Sequence, residues 1–207
     1  MKLTKAYSRQ VFLNCPFDED YRPIFEAIIF AVLHCGFVIR CAREREDSGE
    51  PRISKICEII RGSQFGIHDI SRVELDRAHS LPRFNMPLEL GLFLGAKAYS
   101  QDPKQRAKRC LILDTEPYRY QTFLSDISGQ DIRAHAADPM RALGITRDWL
   151  RNVSKRDLPG AKAVVRSYLD FQRELPAILE NLDISHQDLQ FVDFVNVTVE
   201  WLGNRGG

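Results

Sequence analysis

Apolar positions along this chain follow two alternating rhythms. Short apolar runs at residues 11–14, 37–41, 64–68, 110–113 and 131–134 are each bounded by polar or turn-forming residues. Their length and density predict strands buried on both faces. Between them apolar residues recur at helical spacing. Tyr21, Ile24, Phe25, Ile28 and Val32 share one stripe, and Ile53, Ile56, Cys57 and Ile60 another. Residues 86–99 are apolar on most sides, and further helices are predicted over 140–152, 161–181 and 186–202. Asp18 or Asp20 can cap the first helix, and Gly36 can end it.

Strict alternation of strand and helix calls for a parallel sheet covered on both faces. Right-handed crossovers leave few topologies. A five-strand core of this length favours an α/β, flavodoxin-like three-layer fold with strand order 2-1-3-4-5. Residues 1–153 form that domain, and a C-terminal helical extension over 154–207 follows a break at Leu158, Pro159 and Gly160. In this order the winding reverses between strands one and three, and ligands bind outside those strand ends. Residues 14–20 and 69–89 should therefore surround one site. The connection over 70–84 is long for a compact domain, and such loops are usually functional.

Charge narrows the partners. Of 207 residues, 29 are Lys or Arg and 28 Asp or Glu, a net charge of +1. No global field recruits nucleic acid or an anionic membrane, so a nucleotide must be recognised locally. The five cysteines show no CxxC pair and no metal-ligand spacing, and a scattered odd set suits a reducing compartment. The first ten residues carry no hydrophobic signal region, and no apolar run reaches membrane-spanning length. A cytoplasmic protein is expected, without a metal or bound cofactor.

Glu89 is the foremost candidate for chemistry. It is the only charge between Asn85 and Gly95 in an otherwise apolar segment. An isolated carboxylate is costly to bury, so it must reach solvent, a partner or a substrate. A purely structural role is a favourable charge near a helix N-terminus. With Asn85 as cap, however, the capping-box position would fall on Leu88.

Asp69, at the end of strand three, can hold a ribose hydroxyl or orient a second carboxylate; its local alternative is turn formation. In the loop after strand one, Asn14 and Pro16 are candidate binding residues and Phe17 can stack on a planar ring. Asp18 is either a binding residue or a helix cap. Ser71, Arg72 and Asn85 complete the candidate binding set. Arg43, Arg45, Arg72 and Arg83 are placed to meet phosphate.

Several classes of chemistry lack their signatures. There is no GxGxxG and no GxxxxGK[ST], no HExxH, and no GxSxG setting for Ser63 or Ser71. His68, within a strand, reads as a satisfied core residue and not a base.

Three segments taken together resemble a known pattern. Leu13 to Phe17 follows strand one, His68 to Ser71 ends strand three, and Pro87 to Gly91 opens the next helix. In order and spacing they are similar to nucleoside 2-deoxyribosyltransferase-like proteins and to the related TIR and TIR-like domains. The resemblance covers roughly residues 9–150. In the transferases a Pro-Phe segment, an Asp after strand three and a Glu-x-Gly helix line the nucleoside pocket. In TIR domains that cleave NAD, a glutamate on the helix after strand three is catalytic. The resemblance thus implies a catalytic role for Glu89 and Asp69, and a substrate contact for Phe17.

It departs where Ile70, Ser71 and Arg72 replace the glycines that often follow the transferase Asp. The loop over 43–51 lies where TIR domains carry an interaction loop, and the tail has no counterpart. The implied activity is an N-glycosidase that cleaves the ribosyl C–N bond of NAD or a related nucleotide, as in bacterial defence effectors. NAD is then substrate, not cofactor, and a homo-oligomer is a natural partner state. The alternative is a non-catalytic nucleotide-binding or protein-interaction signalling module of the same fold.

Overall fold

The computed structural model describes residues 6–44, 49–73, 75 and 82–205. Arg45 and residues 74 and 76–81 of the loop expected over 70–84, His79 included, lie outside the described residues. Five strands form one all-parallel sheet, β1 (Gln10–Asn14), β2 (Val38–Cys41), β3 (Phe65–Asp69), β4 (Arg109–Asp114) and β5 (Ile132–Ala134), in the order 2-1-3-4-5. The expected α/β flavodoxin-like architecture is therefore present. Registers such as Asn14 opposite His68, and His68 opposite Ile112, align the carboxyl ends of β1, β3 and β4 along one rim.

Side chains alternate between sheet faces along each strand. Val11, Leu13, Phe65 and Ile67 point to the face covered by α1 (Arg22–His34) and α5 (Pro139–Ser154), where the main core lies. Phe12 points the other way and packs with α2 (Arg52–Gly62) and with Phe93 of α3 (Asn85–Tyr99). On α2 the buried stripe is Ile56, Ile59 and Ile60, while the expected Ile53 is 45% exposed. Its place in the first turn carries it beyond the sheet, and Ile59 completes the i, i+3, i+4 stripe instead.

Gly36 ends α1 with φ of +76°, a left-handed conformation that suits glycine. The Phe37 N–H closes the turn on the Val32 carbonyl at 3.1 Å, and Gly36 N–H on Leu33 at 2.9 Å. A short helix, α4 (Pro103–Arg106), precedes β4 and is capped by Asp102, which accepts from Lys104 N–H at 2.8 Å.

Helices α6 (Ala161–Asn181) and α7 (Phe191–Arg205) lie over α1 and share its core. Phe30 of α1 meets Tyr168 and Phe171 of α6 and Trp201 of α7, with ring centroids 5.0, 5.3 and 6.1 Å apart. The last helix begins at Phe191 and not at His186. Asp188 N–H bonds the Ser185 hydroxyl, and Gln190 N–H reaches the Asp193 carboxylate at 3.3 Å. These local bonds offer the backbone a turn in place of a helix, and the Asp193 carboxylate then caps the Gln190 N–H at the start of α7. Among the described residues no helix is long and apolar enough to cross a membrane.

Candidate active site

The carboxyl rim of β1 and β3 opens into a cleft of about 610 Å³. Its walls come from the β1–α1 loop (Asn14, Cys15, Pro16, Phe17, Asp18, Asp20) and from the start of α3 (Asn85, Met86, Glu89). Arg43, Arg52, Arg72, Arg83 and Leu75 complete it. Leu75 and Pro82 form an isolated antiparallel bridge that draws the two ends of the long loop together beside it.

Glu89 is 6% exposed and lines this cleft. It sits on the second turn of α3, whose first residue is Asn85. Asn85 is not the cap; Phe84 stands there and makes no side-chain cap bond. Burial pushes the Glu89 carboxyl up to about 7, and Arg52 only partly offsets this. Among the described residues no hydrogen bond reaches the carboxylate, so desolvation dominates.

The start of α3 is fixed from below. Asn14 Nδ2 donates to the Met86 carbonyl at 2.8 Å and lies 3.1 Å from His68 Nδ1. Asn14 is therefore chiefly a brace, and that contact makes His68 Nδ1 an acceptor and leaves the proton on Nε2. The His68 ring is fully buried, edge-on to Phe93 at 4.9 Å and to Phe12 at 5.7 Å. Among the described residues its Nε2 has no partner, so it is a core residue bonded there on one nitrogen only. Burial, and then Lys108, push it down to about 3, so the ring stays neutral at pH 7, and its full burial away from the cleft lining keeps it from reaching a substrate.

Asp69 and Ser71 stand outside the cleft. Asp69 has no exposed surface, because it shares the strand face of Phe65 and Ile67 and points to the α1–α5 layer. Glu89 belongs to the helix on the opposite face. Asp69 Oδ2 accepts from Tyr21 Oη at 2.6 Å, and its Oδ1 accepts from Ser71 N–H at 2.8 Å. His135 Nε2 lies 3.1 Å from Oδ2, off the line of a good hydrogen bond, while its Nδ1 accepts from Ala137 N–H. Arg119 clamps the other end, donating to the Ser71 carbonyl at 2.5 Å and to Asp114. A direct ribose contact for Asp69 is thus replaced by a role in holding the loop that carries Arg72.

Arg72 pairs with Asp18 at 2.9 Å and Asp20 at 3.5 Å. Asp18 also accepts from Tyr21 N–H at 3.1 Å, so its capping role is real, although it caps the 3-10 turn (Glu19–Tyr21) leading into α1. With these two acids paired to Arg72, Arg43, Arg52 and Arg83 face a cleft whose remaining acid among the described residues is Glu89. The Arg43 guanidinium lies 4.5 Å from the centroid of the Phe17 ring.

The structure brings together Asn14, Pro16, Phe17, Asp18, Arg72, Asn85 and Glu89, seven of the nine expected residues. Arg52 was not among the candidates. It opens α2, and only the packing of α2 beside α3 brings it to Glu89. Comparison of the chain with protein-family models, curated proteins and solved structures finds no match in any of the three.

Proposed function

We propose that this chain is an N-glycosidase that cleaves the ribosyl C–N bond of NAD or a related nucleotide, with Glu89 as the catalytic carboxylate. The observation that carries this is one buried carboxylate, raised to about 7, opening into a large cleft with four arginines. Phosphate groups would engage the arginines, and an electron-poor anomeric carbon would face the acid. The resemblance of the Pro16–Phe17, Asp69 and Glu89 segments to the transferase and TIR-like patterns supports the same assignment.

Breaking the bond sends its electron pair out with the base. Nicotinamide leaves neutral and needs no proton. The sugar passes through an oxocarbenium-like state whose positive charge the ionised Glu89 stabilises. That charge develops only in the transition state, so the interaction speeds the step. Water, or another acceptor, then adds to the anomeric carbon and releases a proton. Because the ionised form is needed, kcat/KM should rise through about pH 7 and level off above it.

The test is nicotinamide release from NAD by concentrated wild-type protein and Glu89→Gln. Release by wild type alone is expected. Equal release by both, or tight binding of NAD by wild type without any turnover, would overturn the proposal.

A further inference from the structure

We infer that the C-terminal extension forms the backing of this cleft, with Phe191 a positioning residue that acts through Phe25 to place Phe17. The β1–α1 loop is anchored at its two ends by buried Cys15, Pro16 and Tyr21, while Phe17 between them is only half-buried. The Phe17 ring packs edge-on against Phe25 of α1, with centroids 5.7 Å apart, and Phe25 packs against Phe191 at 6.1 Å. Phe191 is 6% exposed, so the outer end of this row is locked in the core.

The segment before α7 is tied to the same turn of α1 by polar contacts. Arg22 donates to the His186 carbonyl and, at 3.3 Å, to that of Gln187, and His186 Nε2 lies 3.0 Å from Glu26. Between loop and helix remains a cavity of only about 30 Å³, lined by Phe17, Arg43, Leu189 and Phe191 among others. The wall therefore has little room to move while α7 is docked, and an aromatic removed from the row opens that room.

The positioning itself does not depend on what the cleft binds. The proposed nucleotide chemistry enters only in the role of Phe17 as a stacking surface. Cys15 reports on the loop without any ligand, because it lies two residues before Phe17, lines the cleft and is 1% exposed. Burial raises its thiol well above the ordinary range, so alkylation requires the loop to open. Cys35, at the far end of α1 and 5% exposed, serves as the internal control.

The experiment is iodoacetamide labelling of the full chain, mapped by mass spectrometry, for wild type, Phe191→Ala and Phe191→Leu. Phe191→Ala should speed Cys15 labelling about fivefold or more with Cys35 unchanged, and Phe191→Leu should restore most of the protection. An unchanged Cys15 rate, or Cys15 and Cys35 rising together, overturns the inference. Should Phe191→Ala fail to fold, Phe25→Leu is judged by the same two criteria.

With NAD as probe, wild type and Phe191→Ala should differ roughly tenfold in KM at similar kcat, as expected for a loosened stacking surface. An unchanged KM in an active enzyme counts against the inference. Absence of NAD cleavage by wild type counts against the proposed function alone, because the labelling result is read without ligand.

Discussion

Glu89→Gln should make this protein more stable at alkaline pH than the wild type, by an amount that the geometry predicts. The carboxyl moves from its ordinary 4.5 to about 7 on folding, because it is taken out of water with only Arg52 to compensate. At 6% exposure solvent screens little of that penalty. At 1.36 kcal/mol per pKa unit, the linked free energy is about 3 kcal/mol. The sign follows from where the proton is held. Below pH 4.5 the carboxyl is protonated in both states and folding is unaffected. As pH rises from 4.5, the unfolded chain ionises freely while the folded protein keeps its proton. Stability is therefore lost until the pH passes about 7, and then levels off.

Glutamine keeps the size and polarity of the side chain but cannot ionise, so the variant lacks this loss. Urea unfolding of both proteins at pH 5 and pH 8 isolates the effect as a difference of differences. The variant should gain about 2–3 kcal/mol over wild type between the two pH values, a relative midpoint shift of about 1 M. Two proteins whose stabilities run parallel between pH 5 and pH 8 would refute the claim that Glu89 is held desolvated. An acid that is costly to ionise in the folded protein yet lines a cleft has the energetic profile of a functional group.

Other substitutions probe the frame around it. Gly66→Ala would put a Cβ 2.7 Å from His68 Nε2 and 2.8 Å from the Phe93 ring. That overlap should cost about 1–3 kcal/mol in thermal or chemical unfolding. Tyr21→Phe leaves the buried Asp69 without its 2.6 Å donor and should cost about 1.5–3 kcal/mol, read by urea unfolding at pH 7. Arg43→Ala combined with Arg52→Ala should weaken NAD binding to a Glu89→Gln background. It should also flatten the salt dependence of that binding, measured by calorimetry at two ionic strengths.

The fold was legible because parallel strands buried on both faces read as dense apolar runs, and Val11 to Leu13 or Leu111 to Leu113 admit little else. Glu89 was legible for a related reason: a single charge in an apolar helix must be accommodated somewhere. What periodicity does not carry is contact between distant segments. Nothing local marks Arg52 as a neighbour of Glu89, or His135 and Tyr21 as neighbours of Asp69. Periodicity starts α7 at His186, but Ser185 and Asp193 accept from the N–H groups of Asp188 and Gln190 and outcompete the helical pattern there.

The placement of Asp69 and Glu89 illustrates how one sheet separates two acids that sequence motifs put side by side. Both follow β3, and both lie near the rim where the winding reverses. Strand alternation nevertheless sends Asp69 into the α1–α5 layer, where Tyr21 and a backbone N–H hold it. The α3 helix covers the other face and presents Glu89 to the cleft with no hydrogen bond among the described residues and Arg52 as its compensating charge. Their environments have opposite consequences. A carboxylate already surrounded by donors is a good anchor for a loop and has little left for a substrate. One that lacks donors is costly to ionise, and a cationic centre arriving beside it supplies the stabilisation the protein withholds. The two clamps on Ser71 hold the loop that carries Arg72, the brace from Asn14 holds Met86, and Arg72 and Met86 both line the cleft. On the proposed function the fully buried acid serves as scaffold and Glu89 as the reacting group, and a conservative change at each should separate the roles. Asp69→Asn should be lost chiefly as stability, and Glu89→Gln chiefly as turnover.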